Sequence, residues 1–515
     1  MRRLSLMILI GLIAKFCVGP VIVTAPSASQ TARPAASQPA TSLPLASQPF
    51  TSEPPASQPP ASQALTGVPL TSQPSGPSVA ASSPSYTNYF PFLVRNYLPG
   101  YASPFGIDMY AGDSDADGMP QMQTAGSAWV TLALRWSHVE PTAPISGVHT
   151  YDWSEFDAMV TRAQAAGMSS FVLFTDNPAW AAQYPGGPVT NTADLISAVS
   201  AAAARYNGSV PGIPIINDWS FYAEPDNGAL WQAQLGKGYW GNNPAGYADM
   251  LANVSTTIHA ANPQAVVMIG GLAYDAFVST GGPFVQGFLA GVLDQLNNAH
   301  GGAAATLGAV AFHYYPINTG RWPTIKEKAQ EIRSIMSQHG AGSLPLIVPE
   351  MGYWSSAAAG SSEPLQASGL VQMFVRGLSV GIQQMSWFMV FDSSGPATET
   401  HGLFRGTDLN SPKPAYAAYA TLTSQLYGAR YHGPLTGAGI EGYVFDMSDG
   451  RQKSVLWATQ PSAQFTFSST CLRRVDYVGN VTASITDGSA SDLDHAPGQI
   501  TLPVLANLPI YIGGC

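Results

Sequence analysis

Eight short apolar runs, spaced along the middle of the chain, constrain the fold more than any other feature. They are Phe105 to Tyr110, Trp129 to Trp136, Ser170 to Thr175, Asn217 to Tyr222, Ala265 to Gly270, Ala309 to His313, Leu344 to Val348 and Gln384 to Phe391. Stretches with helical spacing fall between them. Residues 151–167 run from Tyr151, with Asp152 placed to cap, to a terminal Gly167; residues 325–339 repeat Ile325, Ala329, Ile332 and Met336 along one face. Apolar strands alternating with helices imply a parallel sheet buried on both faces. Eight such units predict an α/β fold, a (β/α)8 TIM barrel with enlarged loops.

After Tyr427 the pattern changes to short alternating runs such as Gly442-Tyr-Val-Phe-Asp446, Ser454-Val-Leu-Trp457 and Gln464-Phe-Thr-Phe467. These predict a C-terminal antiparallel β-sandwich over residues 428–515, with the barrel over 89–427. At the other end, Met1-Arg-Arg is followed by an apolar run to Ala14, the form of a signal peptide, expected over residues 1–25. Lys15 interrupts this run and Phe16 to Val23 resumes it, so an uncleaved anchor in the membrane or cell envelope is the alternative. Residues 26–88 are mostly Pro, Ala, Ser, Thr and Gln, and Ser-Gln recurs, as at 37, 47, 57, 62 and 72. Too few large apolar side chains are present to offset the entropy of ordering, and the prolines favour extended chain. A disordered, semi-stiff spacer is expected.

Of the 515 residues, 21 are basic and 31 acidic, and the basic ones form no cluster, which argues against nucleic acid as a partner. Motifs for zinc, redox or nucleotide chemistry are missing, so catalysis with no cofactor is expected. Oligomeric state is left open. Cys471 and Cys515 are either one bridge, formed in an exported chain, or two separate thiols.

In such a barrel the chemistry sits at the C-terminal ends of the strands. Two of the eight runs end in a glutamate flanked by proline: Asp218-Trp-Ser-Phe-Tyr-Ala-Glu-Pro-Asp-Asn-Gly228 and Leu344-Pro-Leu-Ile-Val-Pro-Glu350. A pair of carboxylates on one rim can flank a glycosidic bond, one giving a proton to the departing oxygen while the other attacks the anomeric carbon. The competing reading of each is a solvated loop acid.

Trp219 to Asn227 resembles the acid/base motif of the clan A glycoside hydrolases, and Pro349-Glu-Met-Gly-Tyr-Trp354 resembles their strand 7 nucleophile motif. The likeness extends to Tyr151-Asp-Trp-Ser-Glu-Phe-Asp157, Ala311-Phe-His-Tyr-Tyr-Pro316 and Ser411-Pro-Lys-Pro-Ala-Tyr416, and is nearest to families 39, 5 and 51. It implies Glu224 as general acid/base, Glu350 as nucleophile and retention of configuration; a negative Glu350 would raise the proton affinity of Glu224, as would desolvation by Trp219, Phe221 and Tyr222 if they line its site. The implied function is a secreted or surface-tethered glycoside hydrolase acting on a poly- or oligosaccharide. A non-catalytic carbohydrate-binding protein on the same barrel is the alternative, and a structural envelope protein a third.

The resemblance also implies substrate-binding residues. Arg135 either holds Glu350 ionised or pairs with Glu140 at the surface. His313 and Tyr315 either flank the nucleophile or belong to the core. Trp387 matches the tryptophan platform beneath the sugar, with Trp180 and Trp354 extending it, unless these rings are core. In the clan, an Asn precedes the acid/base and meets the sugar 2-hydroxyl. Here that residue is Ala223, leaving Asn227 or Asn177 to supply the contact. Asp113-Ser-Asp-Ala-Asp-Gly118 imitates the start of a calcium loop, but Thr124 stands where the bidentate Glu belongs, so no metal is expected there.

Overall fold

The computed structural model describes residues 103–110, 112–228, 240–316, 321–392 and 400–515. The expected leader, the spacer and the start of the folded region near Tyr89 lie outside these residues.

The eight runs form eight parallel strands: β1 (Phe105–Asp108), β2 (Trp129–Arg135), β3 (Ser169–Thr175), β4 (Asp218–Phe221), β5 (Val266–Ile269), β6 (Val310–Tyr314), β7 (Leu346–Met351) and β8 (Gln384–Trp387). Their order is β5-β4-β3-β2-β1-β8-β7-β6. Parallel bridges Met268↔Ala309 and Leu272↔Phe312 join β5 to β6, so the sheet closes on itself. Each strand leads to a helix: α1 (Met119–Thr124), α2 (Ser154–Ala165), α3 (Thr192–Arg205), α4 (Pro244–Ala261), α5 (Phe288–Ala299), α6 (Ile325–Gln338), α7 (Glu363–Ser379) and α8 (Pro414–Leu426). The fold is a TIM barrel.

Strand alternation sorts the side chains into two cores. Trp129, Phe171, Val266, Met268, Ala309 and Ile347 fill the barrel, while Val130, Leu132, Trp219, Phe221, Met385 and Trp387 pack between barrel and helices. Trp129 fits because its neighbour across β1 is Gly106, where a Cβ would lie 2.3 Å from the indole. The same alternation turns Asp218 into the barrel. It is 7% exposed, and its carboxylate has no hydrogen bond or ion pair among the described residues.

Local sequence explains the helix starts. Thr324 and Glu327 form a reciprocal cap on α6, and Asn191 caps α3 by accepting from Ala193 N–H. The segment 113–118 contains a single 3-10 turn, Asp115–Asp117, capped by Ser114. Asp113 is buried and held by Arg162, while Asp117 accepts from Ser114 N–H and O–H.

Beyond α8 lie β9 (Arg430–Gly437), β10 (Ile440–Asp446), β11 (Gln452–Ala458), β12 (Ser462–Phe467), β13 (Cys471–Asp476), β14 (Val481–Thr486), β15 (Ile500–Leu505) and β16 (Ile510–Gly514). Antiparallel sheets β14-β13-β16-β11-β10-β9 and β12-β15 share a core of Leu456, Ala458, Leu472, Ile485, Ile500, Leu502, Val504, Ile510 and Ile512. Cys471 and Cys515 are bridged, joining the start of β13 to the end of the chain. This domain is fixed to the barrel through Arg376 of α7, which makes two hydrogen bonds to Glu441 of β10, at 2.7 and 2.6 Å, and lies over the Trp457 ring.

Candidate active site

The end of β4 turns sharply. Tyr222 and Glu224 both have left-handed backbone, φ 60° and 48°, and Glu224 N–H donates to the Gly271 carbonyl beyond β5 at 2.9 Å. The turn is stapled by Asn227, whose amide donates to the Glu224 carbonyl at 3.0 Å. Such strained non-glycine residues gather at functional sites. On the opposite side of the mouth Glu350 lies within β7 itself, in register with His313 of β6.

His313 is the meeting point. Its Nδ1 is 3.3 Å from Glu224 Oε1 and 3.6 Å from Glu350 Oε1, and one oxygen of each glutamate lies with a His313 ring nitrogen inside a 4.8 Å triangle. Gly271 makes room for the ring, since a Cβ there would lie 2.0 Å from Nε2. Tyr315 donates its hydroxyl to Glu350 Oε1 at 2.6 Å.

The charges are strongly coupled. Burial alone would push the His313 imidazole down, but Glu350 and Glu224 outweigh it and hold it up to about 9. The two acids thus favour the charged form of the imidazole. Glu350 is pushed up by its own burial and by the Glu224 charge, against the pull of His313 and the Tyr315 hydroxyl. Asp108, at the end of β1, is driven well above the usual carboxylate range by burial and then by Glu350.

The remaining residues expected at the site fall in several places. Arg135 pairs neither with Glu350 nor with Glu140; its Nε donates to Asp176 Oδ2 at 3.0 Å and it lies over the Tyr110 ring. Asp176 follows β3 directly, so the guanidinium is captured by the neighbouring strand end. Trp387 is 0% exposed and donates to the His401 carbonyl. Strand parity aims it at the helix layer, so it offers no face to a ligand. The next residue, Phe388, is the ring that meets Tyr315, edge-on at 6.1 Å.

Trp354 is half-buried against Tyr315 and His401 on the Glu350 side. Trp180 stands apart, packed edge-on against Trp136 with Nε1 donating to the Glu140 carbonyl. Asn227 is buried and its amide nitrogen is spent on the turn. Asn177 is also engaged, accepting from Tyr222 and donating to the Gly187 carbonyl. Asn177 is therefore not free to stand in for the Asn that Ala223 replaces, whereas Asn227 keeps a buried Oδ1 with no partner among the described residues.

Sequence reasoning missed Asp108, Phe388, His401 and Asp275 in the loop after β5. His401 is buried against Trp354, Tyr315 and Phe388, is pushed down to about 3 by burial and then by Lys413, and has no partner for Nε2 among the described residues. What the described residues assemble is a barrel mouth with two carboxylates set to act on one small region of space.

Comparison with known proteins bears on the fold. No protein-family model matches the chain, and no curated protein matches it. Among solved structures, a family 39 glycoside hydrolase from the gut symbiont Bacteroides cellulosilyticus WH2 is similar, with a TM-score of 0.60 at 18% identity over 80% of this chain and 81% of that one. The chain shares its fold. A glucosidase from Croceicoccus marinus follows at TM-score 0.56 and 14% identity, covering 79% and 94% of the two chains. A monomeric beta-xylosidase from Caulobacter crescentus CB15 gives 0.54 and 14%, covering 80% and 95%. Identities this low speak for architecture.

Proposed function

We propose that this chain is an exported or surface-tethered retaining glycoside hydrolase that cleaves an oligo- or polysaccharide. The observation that carries the reading is the placement of Glu224 and Glu350 oxygens within 4.8 Å of each other at the C-terminal mouth of the barrel. Retaining pairs stand about 5–5.5 Å apart, while inverting pairs stand about 6.5–9.5 Å apart to admit a water. The likeness in fold to a glucosidase and a beta-xylosidase supports the same class. The bridged Cys471 and Cys515 suit an oxidising compartment and so support export.

In the first step an ionised Glu350 oxygen attacks the anomeric carbon while protonated Glu224 gives its proton to the departing oxygen, leaving a glycosyl ester on Glu350. In the second, Glu224 takes a proton from water, which attacks the same carbon and releases the sugar and the Glu350 carboxylate. Tyr315 fixes the attacking carboxylate, and His313 offsets part of the charge of the two acids.

Glu224→Ala and Glu350→Ala should each abolish hydrolysis on a panel containing p-nitrophenyl β-D-xylopyranoside and β-D-glucopyranoside and the corresponding oligosaccharides. Proton NMR of the first-formed product should show the substrate's own anomeric configuration. Full activity in both variants, or an inverted product, would contradict the assignment.

A further inference from the structure

The carboxylate of Asp275 is the best-prepared polar group near the glutamate pair that the mechanism above does not use. Asp275 is 7% exposed, yet its carboxylate accepts no hydrogen bond among the described residues; its nearest cation, Lys328 Nζ, is 3.9 Å away. The Asp275 side chain is 11% exposed, so a carboxylate this deeply set keeps limited access to solvent without a donor from the protein. Here the protein instead invests in the loop that holds it.

That loop, residues 271–275, runs between the two strand ends that carry the site. On one side Gly271 accepts from Glu224 N–H at 2.9 Å; on the other Leu272 accepts from His313 N–H at 2.8 Å. Asp226, buried two residues after Glu224, receives Ala273 N–H at 3.1 Å and Tyr274 N–H at 2.8 Å. Lys328, 1% exposed on α6, reaches in to donate to the Ala273 carbonyl. Tyr274 and Ala276, on either side of Asp275, are left-handed with φ 44° and 37°. Buried Asp226 and Lys328, with two strained residues, thus hold the loop that carries Asp275 between the strands of Glu224 and His313; burial pushes the Asp275 carboxyl up to about 6, with Lys328 pulling it down and Glu224 adding to the rise.

We propose that Asp275 is a substrate-binding residue that accepts two adjacent hydroxyls of the sugar held against Glu224, making the preferred substrate an uncharged sugar with a free vicinal diol at that position. Two carboxylate oxygens span neighbouring hydroxyls, and each bond forms with a charged acceptor in a water-poor site. An acidic sugar is disfavoured there, because its carboxylate would face Asp275 and the glutamate pair. Lys328 and Asp226 act as positioning residues for the loop. The proposal rests on the glycosidase reading.

The test compares Asp275→Asn, which preserves shape, with the parent on p-nitrophenyl β-D-xylopyranoside, β-D-glucopyranoside and their monodeoxy analogues. For the intact glycoside KM should rise about ten- to a hundredfold, the range of a hydrogen bond to a charged group. For the analogues lacking a bonded hydroxyl, parent and variant should behave more nearly alike. An unchanged KM, or the same loss on every analogue, would refute the role. Calorimetric binding of xylose and glucose to Glu350→Gln, with and without Asp275→Asn, separates this proposal from the catalytic one. Weaker binding in the double variant supports Asp275 even if no glycoside is hydrolysed. Normal hydrolysis by Asp275→Asn removes the proposal and leaves the glycosidase reading standing, and absence of both binding and hydrolysis removes both.

Discussion

Tyr315→Phe isolates one contact of the proposed nucleophile. The hydroxyl donates to Glu350 Oε1 at 2.6 Å, the short distance of a bond to an ionised acceptor, and phenylalanine keeps the ring that packs on Trp354, Phe388 and His401. Removing such a bond costs about 1.5–3 kcal/mol, or about ten- to a hundredfold in rate. The two chemical steps should not share the loss equally. During attack Glu350 gives up its negative charge, so the bond stabilises the starting carboxylate as much as the transition state. During release the charge returns to Glu350, and the hydroxyl then favours the transition state over the ester. The variant should therefore lose its kcat while kcat/KM changes less, and a burst of p-nitrophenol should precede slow turnover. The pH profile adds a second readout. Tyr315 favours the ionised form of Glu350, so without it the carboxyl keeps its proton to higher pH and the acidic limb of kcat/KM moves upward. A kcat equal to the parent's with no burst and an unmoved limb would refute this account of Tyr315.

Two further predictions concern stability. Burial raises Asp218 from 3.8 to about 7 in the folded barrel. The folded state then holds this proton more tightly than the unfolded chain, so the contribution is present below the unfolded pKa and lost as pH rises through about 7. Asp218→Asn should match the parent near pH 4 and exceed it above pH 8 by up to about 4 kcal/mol in urea unfolding; equal stability at both values would mean that Asp218 is solvated. Cys471 and Cys515 close a loop with a sequence separation of 44, so replacing both with serine should lower stability by about 4 kcal/mol on the loop-entropy account, read as a fall in Tm that reductant reproduces in the parent. A Tm indifferent to both treatments would contradict that account.

The barrel was readable because parallel strands buried on both faces leave a local mark, and every run from Phe105 to Gln384 falls on a strand. Glu224 and Glu350 were readable for the same reason, each breaking an apolar run where a strand meets the mouth. Partnership was not readable. Arg135 is caught by Asp176 across the β2–β3 register, and nothing near either residue in sequence announces it. Trp387 fails by one position: β8 ends there, and parity gives the outward face to Trp387 and the inward one to Phe388. Asp275 had a weak signal, an acid shortly beyond a strand end, but the loop that carries it is held by Asp226, from the turn after β4, and by Lys328, from α6.

Ala223 and Asp275 belong to one problem. The turn that aims Glu224 leaves the preceding residue half-buried beside it, where the clan resembled by this motif carries an asparagine that meets the sugar 2-hydroxyl. The alanine side chain has no polar atom to offer; Asn177 is bonded to the Tyr222 hydroxyl and the Gly187 carbonyl, and the Asn227 amide nitrogen donates to the Glu224 carbonyl. A hydroxyl brought against Glu224 would then lose its water without gaining a partner, a cost of about 1–3 kcal/mol at the point where transition-state stabilisation is needed. The loop after β5 is tied to Glu224 by the Gly271 carbonyl and carries an unbonded carboxylate. On the present proposal the missing donor and acceptor on β4 is replaced by an acceptor from β5. That exchange alters recognition from an amide, which can both give and receive, to a carboxylate, which only receives, so the site selects sugars whose hydroxyls point inward as donors.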